Sequence, residues 1–264
     1  MFVIACKFNS LYPNVINLVD QIIKLHPEEK IVVVDSKSDD KSYFKTLEEK
    51  GVIIEDINNK HRELGAYWHA YKKFPNENHY FLLHDSMKLK GSLEEFKNDD
   101  LVLLNYFDRK DDILDRWDKK VEKTTTYKYK KDGLGCYGPI FFCKGKVMDE
   151  LRKNKVDKLL PKNKIEGWYS ERAYGFFFEE LGYNLKEVSL YGDVVENEMK
   201  YRSTFVPIDT SWQYPIEKYY GSLQDTKRAL NRYEELLYQI VLLKNKRVSF
   251  YHFVRKLLLM YLNI

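Results

Sequence analysis

The sequence of 264 residues has few cysteines, and they are far apart. The three are Cys6, Cys136 and Cys143, and no two of them form a C-x-x-C pair. An odd number at this spacing argues against a disulfide framework and against a cysteine metal cluster. The simpler interpretation is a protein of a reducing compartment, so we expect a cytoplasmic location.

The chain also lacks a long apolar run and a clear excess of one charge. No window approaches the roughly 18 apolar residues that a membrane-spanning helix needs. The apolar run at residues 2–6 has no basic region before it, which argues against a signal peptide. The 44 basic and 40 acidic residues are too balanced to indicate a nucleic acid partner. A hydrophobic fraction of 44% instead predicts a globular protein with a substantial core.

Several common catalytic motifs are missing as well. The histidines form no H-E-x-x-H pair, and the sequence contains neither G-x-S-x-G nor a P-loop. Gly133, Gly135 and Gly138 match G-x-G-x-x-G in letters, but a Lys-rich polar stretch precedes them and a strand-like run follows. The dinucleotide fingerprint needs a strand before it and a helix after it. These glycines therefore predict a tight turn or a close approach of the backbone to a ligand.

What the first ninety residues do contain is a regular alternation of strands and helices. The predicted strands are residues 2–6, 31–34, 52–54 and 80–83, and the predicted helices are residues 12–25, 42–50 and 63–74. Such alternation predicts a parallel sheet with helices on its faces. Ligands of these sheets bind beyond the carboxyl ends of the strands. Asp35 and Asp85 follow two of the predicted strands, so we expect both at this edge.

The pattern loosens after residue 90. The sequence predicts strands at 101–106 and 139–143, an exposed hairpin or mobile loop at 108–131, helices at 146–153 and 170–181, an irregular stretch at 183–222, and amphipathic helices at 224–244 and 248–262. We interpret residues 1–222 as one domain and residues 223–264 as a helical extension packed on it. Basic residues interspersed along the last two helices leave a peripheral membrane contact open beside packing on the protein itself or on a partner subunit.

Three stretches, in their order and spacing, resemble the GT-A fold glycosyltransferases of the family-2-like kind. Residues Val33 to Asp39 resemble the V-V-D-x-x-S-x-D strand end of these enzymes with one residue less. Asn59 to Ala70 loosely resembles their helix with small residues, and Asp85-Ser86 resembles the start of their D-x-D motif. The resemblance covers about residues 1–90 and is fainter over 133–185. It implies an α/β fold with a mostly parallel central sheet, and an enzyme that transfers a sugar from a nucleotide-sugar donor to a hydroxyl acceptor on a glycan or glycoconjugate, with inversion.

The resemblance also implies roles for particular residues. Donor binding falls to Asp35, Ser36, Asp85 and Ser86, and acceptor binding to Tyr137, Gly138 and Trp168. The catalytic base, which takes the proton of the acceptor hydroxyl, would be Glu171 or, as second choice, Glu166. The residues alone allow plainer interpretations: Asp35 can simply order a turn, and Glu171 can sit in the first turn of a helix capped by Ser170.

Met87 departs from the D-x-D motif, where a second acid is expected. A thioether is a poor ligand for Mn²⁺ or Mg²⁺. Three interpretations stay open: Asp85 holds the metal together with water and phosphate oxygens, or cationic side chains and helix N-termini replace the metal, or the protein binds nucleotide sugars or glycans without catalysis. His84 is a minor ligand candidate, because strand alternation turns it away from Asp85. A nucleotidyltransferase is a further alternative, although Lys7 to Leu11 lacks its glycine-rich loop.

Overall fold

The computed structural model of the protein describes residues 1–8, 14–109, 115–130, 132–193 and 216–218. The strands of this part of the chain are β1 (Phe2–Cys6), β2 (Ile31–Ser36), β3 (Ile53–Ile57), β4 (His79–His84), β5 (Met87–Leu89), β6 (Leu101–Leu103), β7 (Tyr106–Asp108), β8 (Leu134–Cys136), β9 (Phe141–Lys144) and β10 (Ile216–Lys218). Its helices are α1 (Asn14–Leu25), α2 (Tyr43–Glu48), α3 (Arg62–Lys73), α4 (Asp115–Thr124), α5 (Gly145–Lys153) and α6 (Lys164–Glu180).

The centre of the fold is a six-stranded sheet in the order β3-β2-β1-β4-β9-β6. The first four strands of this order run parallel, whereas β9 is antiparallel to both β4 and β6. The β-branched run of β2 is buried on both faces, as parallel strands covered by helices usually are. The predicted α/β class, with a mostly parallel central sheet flanked by helices, is confirmed.

Each face of the sheet carries its own buried apolar layer. Val32 and Val34 belong to one layer and Val33 to the other, because successive side chains of a strand point to opposite faces. The first layer is completed by α3, α5 and α6, and the second by α1 and α2. The carboxyl edge of the parallel strands lies between these two helix layers.

Helix α6 begins six residues earlier than the sequence predicts. Asn163 is its N-cap, and the Asn163 side chain accepts a hydrogen bond from the backbone N–H of Glu166 at 2.9 Å. Ser170, the predicted cap, is buried inside the helix, where its hydroxyl donates to the carbonyl of Gly167 at 2.6 Å. The prediction that Glu171 lies in the first turn is therefore wrong, and Glu166 lies there instead.

The segment from 101 to 131 also differs from its prediction. The single strand expected at 101–106 is two strands in different sheets, since β6 pairs with β9 and β7 pairs with β8. Part of the expected loop at 108–131 is helix α4, which the fully buried side chain of Val121 ties to the core. The expected irregular stretch at 183–222 contains β10, which pairs with β5.

The predicted helices at 224–244 and 248–262, and with them the extension at 223–264, lie outside the described residues. Among the helices that are described, none combines the length and the apolar character needed to cross a membrane.

Candidate functional site

The fold brings the two strand-end aspartates to the same edge, on either side of β1. Cys6, the last residue of β1, stands opposite Asp35 in the register of β1 and β2. On the other side, the backbone N–H of Asp85 donates to the carbonyl of Ala5 at 3.1 Å. Two strand spacings therefore separate the aspartates, which is about 10 Å.

Asp35 is fully buried, and its carboxylate organises the turn between β2 and α2. It accepts hydrogen bonds from the backbone N–H of Ser38 at 2.8 Å, from Lys41 Nζ at 2.5 Å and from the Tyr43 hydroxyl. Burial raises the pKa of Asp35, but these hydrogen bonds outweigh it, so the net pKa lies below its usual value. Both carboxylate oxygens are thus occupied by the turn. The neighbouring Ser36 is half-buried, and its hydroxyl accepts a hydrogen bond from Asn59 at 3.0 Å.

Asp85 is half-buried just beyond β4 and anchors the segment that leaves β1. Its Oδ2 atom accepts a hydrogen bond from the backbone N–H of Lys7 at 2.9 Å. Burial and the negative charge of Asp85 raise the pKa of the Cys6 thiol well above its usual value. Ser86, the next residue, is half-buried as well. Asp85 therefore combines a structural contact with partial access to solvent.

Met87 is not a second acid because its side chain belongs to the core. It is 1% exposed, packs in the apolar layer of α1 and α2, and accepts the backbone N–H of His84 at Sδ over 3.4 Å. Within the described part of the chain, no three His, Cys, Asp or Glu side chains are placed to hold a metal ion. The D-x-D position offers one carboxylate, so a divalent cation here would need phosphate and water oxygens as its other ligands.

The start of α3 lies at the same edge and adds a cation that sequence reasoning missed. Asn59 accepts the N–H of His61 at 2.8 Å, and a side chain on Gly65 would come within 2.1 Å of that Asn59 oxygen. Gly65 is therefore a close-packing requirement of this bend. Arg62, the first residue of α3, is 42% exposed, and its Nε atom lies 3.5 Å from the carboxylate of Glu63. A helix N-terminus with an arginine beside it attracts anionic groups. The signal available in the sequence was the position of Arg62 shortly after Asn59.

Helix α6 carries both acids that are candidates for the catalytic base, and the surroundings of the two differ. Glu166 closes the helix start, since its Oε2 accepts from the backbone N–H of Lys162 at 2.9 Å and from Lys120 Nζ at 3.0 Å. Glu171 is half-buried, four residues after Gly167 and three before Tyr174, so these three residues share a helix face.

That face of α6 turns toward α3. A side chain at Gly167 would meet Arg62 Cδ at 3.0 Å, and the Tyr174 hydroxyl accepts Trp68 Nε1 at 2.6 Å. Glu171 is therefore positioned between the start and the second turn of α3. Trp168, one residue after Gly167, is half-buried, and its carbonyl accepts a hydrogen bond from Arg172 at 3.1 Å.

The glycine-rich stretch from Gly133 to Gly138 borders this region, and local packing explains its glycines. Gly138 adopts a left-handed φ of 63°, which makes the turn after β8. A side chain on Gly135 would collide with the Phe107 ring at 2.2 Å. Tyr137 is half-buried, and its backbone N–H donates to Asn105 at 3.1 Å. The tight turn is confirmed for Gly138, and the close approach at Gly135 is to another side chain.

A cavity of about 380 Å³ opens elsewhere, between α1 and β5. Apart from Met87, it is lined by polar residues: Asn14, Asn17, Asp20, Gln21 and Lys88. None of the side chains predicted to bind donor or acceptor lines this cavity.

No protein-family model matches this chain, and no curated protein matches it. Among solved structures, GalNAc-T7 with UDP, GalNAc and Mn²⁺ is similar at 14% identity over 57% of this chain, with a TM-score of 0.38, and only 35% of that chain is spanned. A cytidylyltransferase from Leptospira borgpetersenii serovar Hardjo-bovis is 12% identical over 68% of this chain and 69% of that one, with a TM-score of 0.35. S. aureus TarS 1-349 is 11% identical over 66% and 55%, with a TM-score of 0.37. Likenesses this distant carry no argument about activity.

Proposed function

We propose that this protein is a nucleotide-sugar-dependent glycosyltransferase, which moves a sugar from a nucleotide-diphosphate donor to a hydroxyl group of a glycan or glycoconjugate. The observation that carries the proposal is the convergence of β4, α3 and α6 at the carboxyl edge of the sheet. Arg62 contacts α6 at Gly167, and the Tyr67 ring of α3 stacks on His84 of β4 at 6.3 Å. In this proposal Asp85, Arg62 and Glu171 form one site.

The donor would bind along the edge between β2 and β4. In this proposal the nucleoside rests on the turn that Asp35 orders, with Ser36 on its surface, and the diphosphate approaches Asp85, Ser86 and the N-terminus of α3. Arg62 and the N–H groups of the helix start offer positive charge to the leaving diphosphate. A divalent cation, where the reaction uses one, would be held at Asp85 and would supply further positive charge there.

In this proposal the acceptor binds beside Tyr137, Gly138 and Trp168, next to the turn that follows β8 and the N-terminal half of α6. Glu171 takes the proton of the acceptor hydroxyl while that oxygen attacks the anomeric carbon. The bond from the anomeric carbon to the diphosphate breaks as the new bond forms, so a single displacement inverts the configuration. Glu171 is the first choice for this role because it lies on the face of α6 that turns toward α3, whereas the Glu166 carboxylate closes the start of the helix through Lys162 and Lys120.

The first test is calorimetric titration of the purified protein with UDP and with GDP, each with and without Mn²⁺. We expect one nucleotide to bind, and Asp85→Asn to weaken the binding that is measured with Mn²⁺. Binding that needs Mn²⁺ supports Asp85 as a metal ligand, whereas equal binding without it assigns the charge compensation to Arg62 and α3. If neither nucleotide binds under any condition, the glycosyltransferase proposal is wrong for these donors.

The same preparation separates an enzyme from a binding protein when donor and acceptor panels are added. Glu171→Gln is expected to keep the nucleotide affinity and to lose transfer by at least two orders of magnitude, because it removes the base. Glu166→Gln is the matched control, which should lower the melting temperature and leave most of the transfer rate. Nucleotide binding without transfer by the wild type would favour the non-catalytic alternative.

A further inference from the structure

Tyr67 carries a buried hydroxyl group for which the described residues supply no hydrogen-bond partner. Its side chain is 1% exposed in the second turn of α3. Its neighbours on the same helix are paired, since Trp68 donates to the Tyr174 hydroxyl at 2.6 Å and the Tyr71 hydroxyl donates to Asp149. A buried polar group without a partner costs free energy, so native structures with one need a reason for it.

The position of this side chain supplies a reason, because its ring packs against the end of β4, next to Asp85 of the candidate site. The Tyr67 ring stacks on His84, the last residue of β4, at 6.3 Å and 28°. Burial is the main cause that raises the pKa of Tyr67 well above its usual value, and the negative charges of Glu63 and Asp85 add to this effect. The phenol is therefore protonated and neutral, and two half-buried acids are near enough to act on it.

This set of groups fits a neutral ligand rich in hydroxyl groups better than it fits an anion. A phosphate in contact with the Tyr67 hydroxyl would face the negative charges of both Glu63 and Asp85, whereas the diphosphate proposed at Asp85 has Arg62, the start of α3 and, where one is used, a cation to offset that charge. A sugar hydroxyl, in contrast, donates to a carboxylate and accepts from a phenol at the same time. The diphosphate has its own attractive place at Arg62 and the start of α3.

We propose that Tyr67 donates a hydrogen bond to a hydroxyl oxygen of the transferred sugar and so determines which sugar of the donor is accepted. Tyr67 is then a specificity-determining residue whose partner arrives with the substrate. The inference rests on the proposed function, and it goes further by naming the part of the donor that the protein selects. Such a polar group rejects a donor that lacks its partner, because the buried hydroxyl would stay unpaired.

The test compares wild type and Tyr67→Phe with the nucleotide alone and with the corresponding nucleotide sugars. We expect unchanged affinity for the nucleotide, about five- to tenfold weaker binding of the preferred nucleotide sugar, and an unchanged or raised melting temperature. A series of monodeoxy donors should contain one that the wild type binds more weakly than the parent sugar and that Tyr67→Phe does not.

Tyr71→Phe is the matched control, one turn further along α3. Its hydroxyl is paired with Asp149, so this variant should lower the melting temperature and keep the wild-type preference among sugars. An unchanged ratio of sugar to nucleotide affinity in Tyr67→Phe overturns the inference and leaves the proposed function standing. A clear fall in its melting temperature also overturns it, since the hydroxyl would then have a partner in the free protein. Absence of nucleotide binding by the wild type overturns both.

Discussion

Individual side chains at the carboxyl edge of the sheet hold the fold together at the candidate site. Asp35 holds the turn before α2 through Ser38, Lys41 and Tyr43, and Asp85 holds the segment after β1. Such contacts fix the positions of the strand ends at which a ligand would bind. Met87 differs from these two aspartates. It stands where the D-x-D motif would have its second acid, but its side chain is buried in the core.

Restoring the acid at position 87 is therefore expected to damage the fold and not to create a metal site. Met87→Asp places a carboxylate among apolar residues without a partner, which should lower the free energy of unfolding by roughly 3–5 kcal/mol. Met87→Leu conserves volume and polarity and should cost less than about 1.5 kcal/mol. Urea denaturation measures both. If Met87→Asp were as stable as Met87→Leu and bound Mn²⁺ more tightly than wild type, the side chain would face the site.

Sequence reasoning located Asp35 and Asp85 at one edge, because apolar runs that end in an acid are visible in the letters. It did not find that Lys41 and Tyr43 occupy the Asp35 carboxylate, since that depends on the path of the turn. It also missed Arg62 and Tyr67. One tyrosine among 21 has no local feature that separates it from core packing.

Helix α6 begins earlier than the sequence predicts, and Gly167 offers a reason. Gly167 weakens the helical pattern near the start of α6, so the propensity signal begins only at Ser170. The second glycine of the helix, Gly175, is required by a tertiary contact that no local pattern records. Gly175 lets β8 approach so closely that a side chain would stand 2.2 Å from the carbonyl oxygen of Leu134.

The two glycines of α6 should respond in opposite ways to alanine. Gly175→Ala pushes a methyl group against backbone atoms of β8, so we expect it to lower the melting temperature in spite of the better helix propensity of alanine. Gly167→Ala meets only the flexible end of Arg62, at 3.0 Å, and should be neutral or slightly stabilising. Differential scanning calorimetry checks the pair. Equal effects of the two substitutions would contradict the close contact between α6 and β8.

For the molecule as a whole, the parallel part of the central sheet can be predicted from the sequence, and the antiparallel part cannot. The parallel strands β1 to β4 follow one another with helices between them, so the local alternation predicted them. Strand β9 inserts between β4 and β6 in the antiparallel direction, and it comes from a segment more than fifty residues beyond β4. Such a pairing is decided by long-range packing of residues such as Phe142 with Phe81, at 5.3 Å between rings.

The reactivity of the three cysteines tests how well the strands that carry them are buried. Cys6, Cys136 and Cys143 lie in β1, β8 and β9, and they are 2%, 0% and 3% exposed. Burial raises the pKa of Cys6 and of Cys143, and the thiolate is the reactive form. We expect Ellman's reagent at pH 8 to react with three thiols in denaturant and with less than one in the native protein over the same period, because reaction waits for opening of the sheet. A single fast thiol in the native state would show that the strand carrying it is not packed as described.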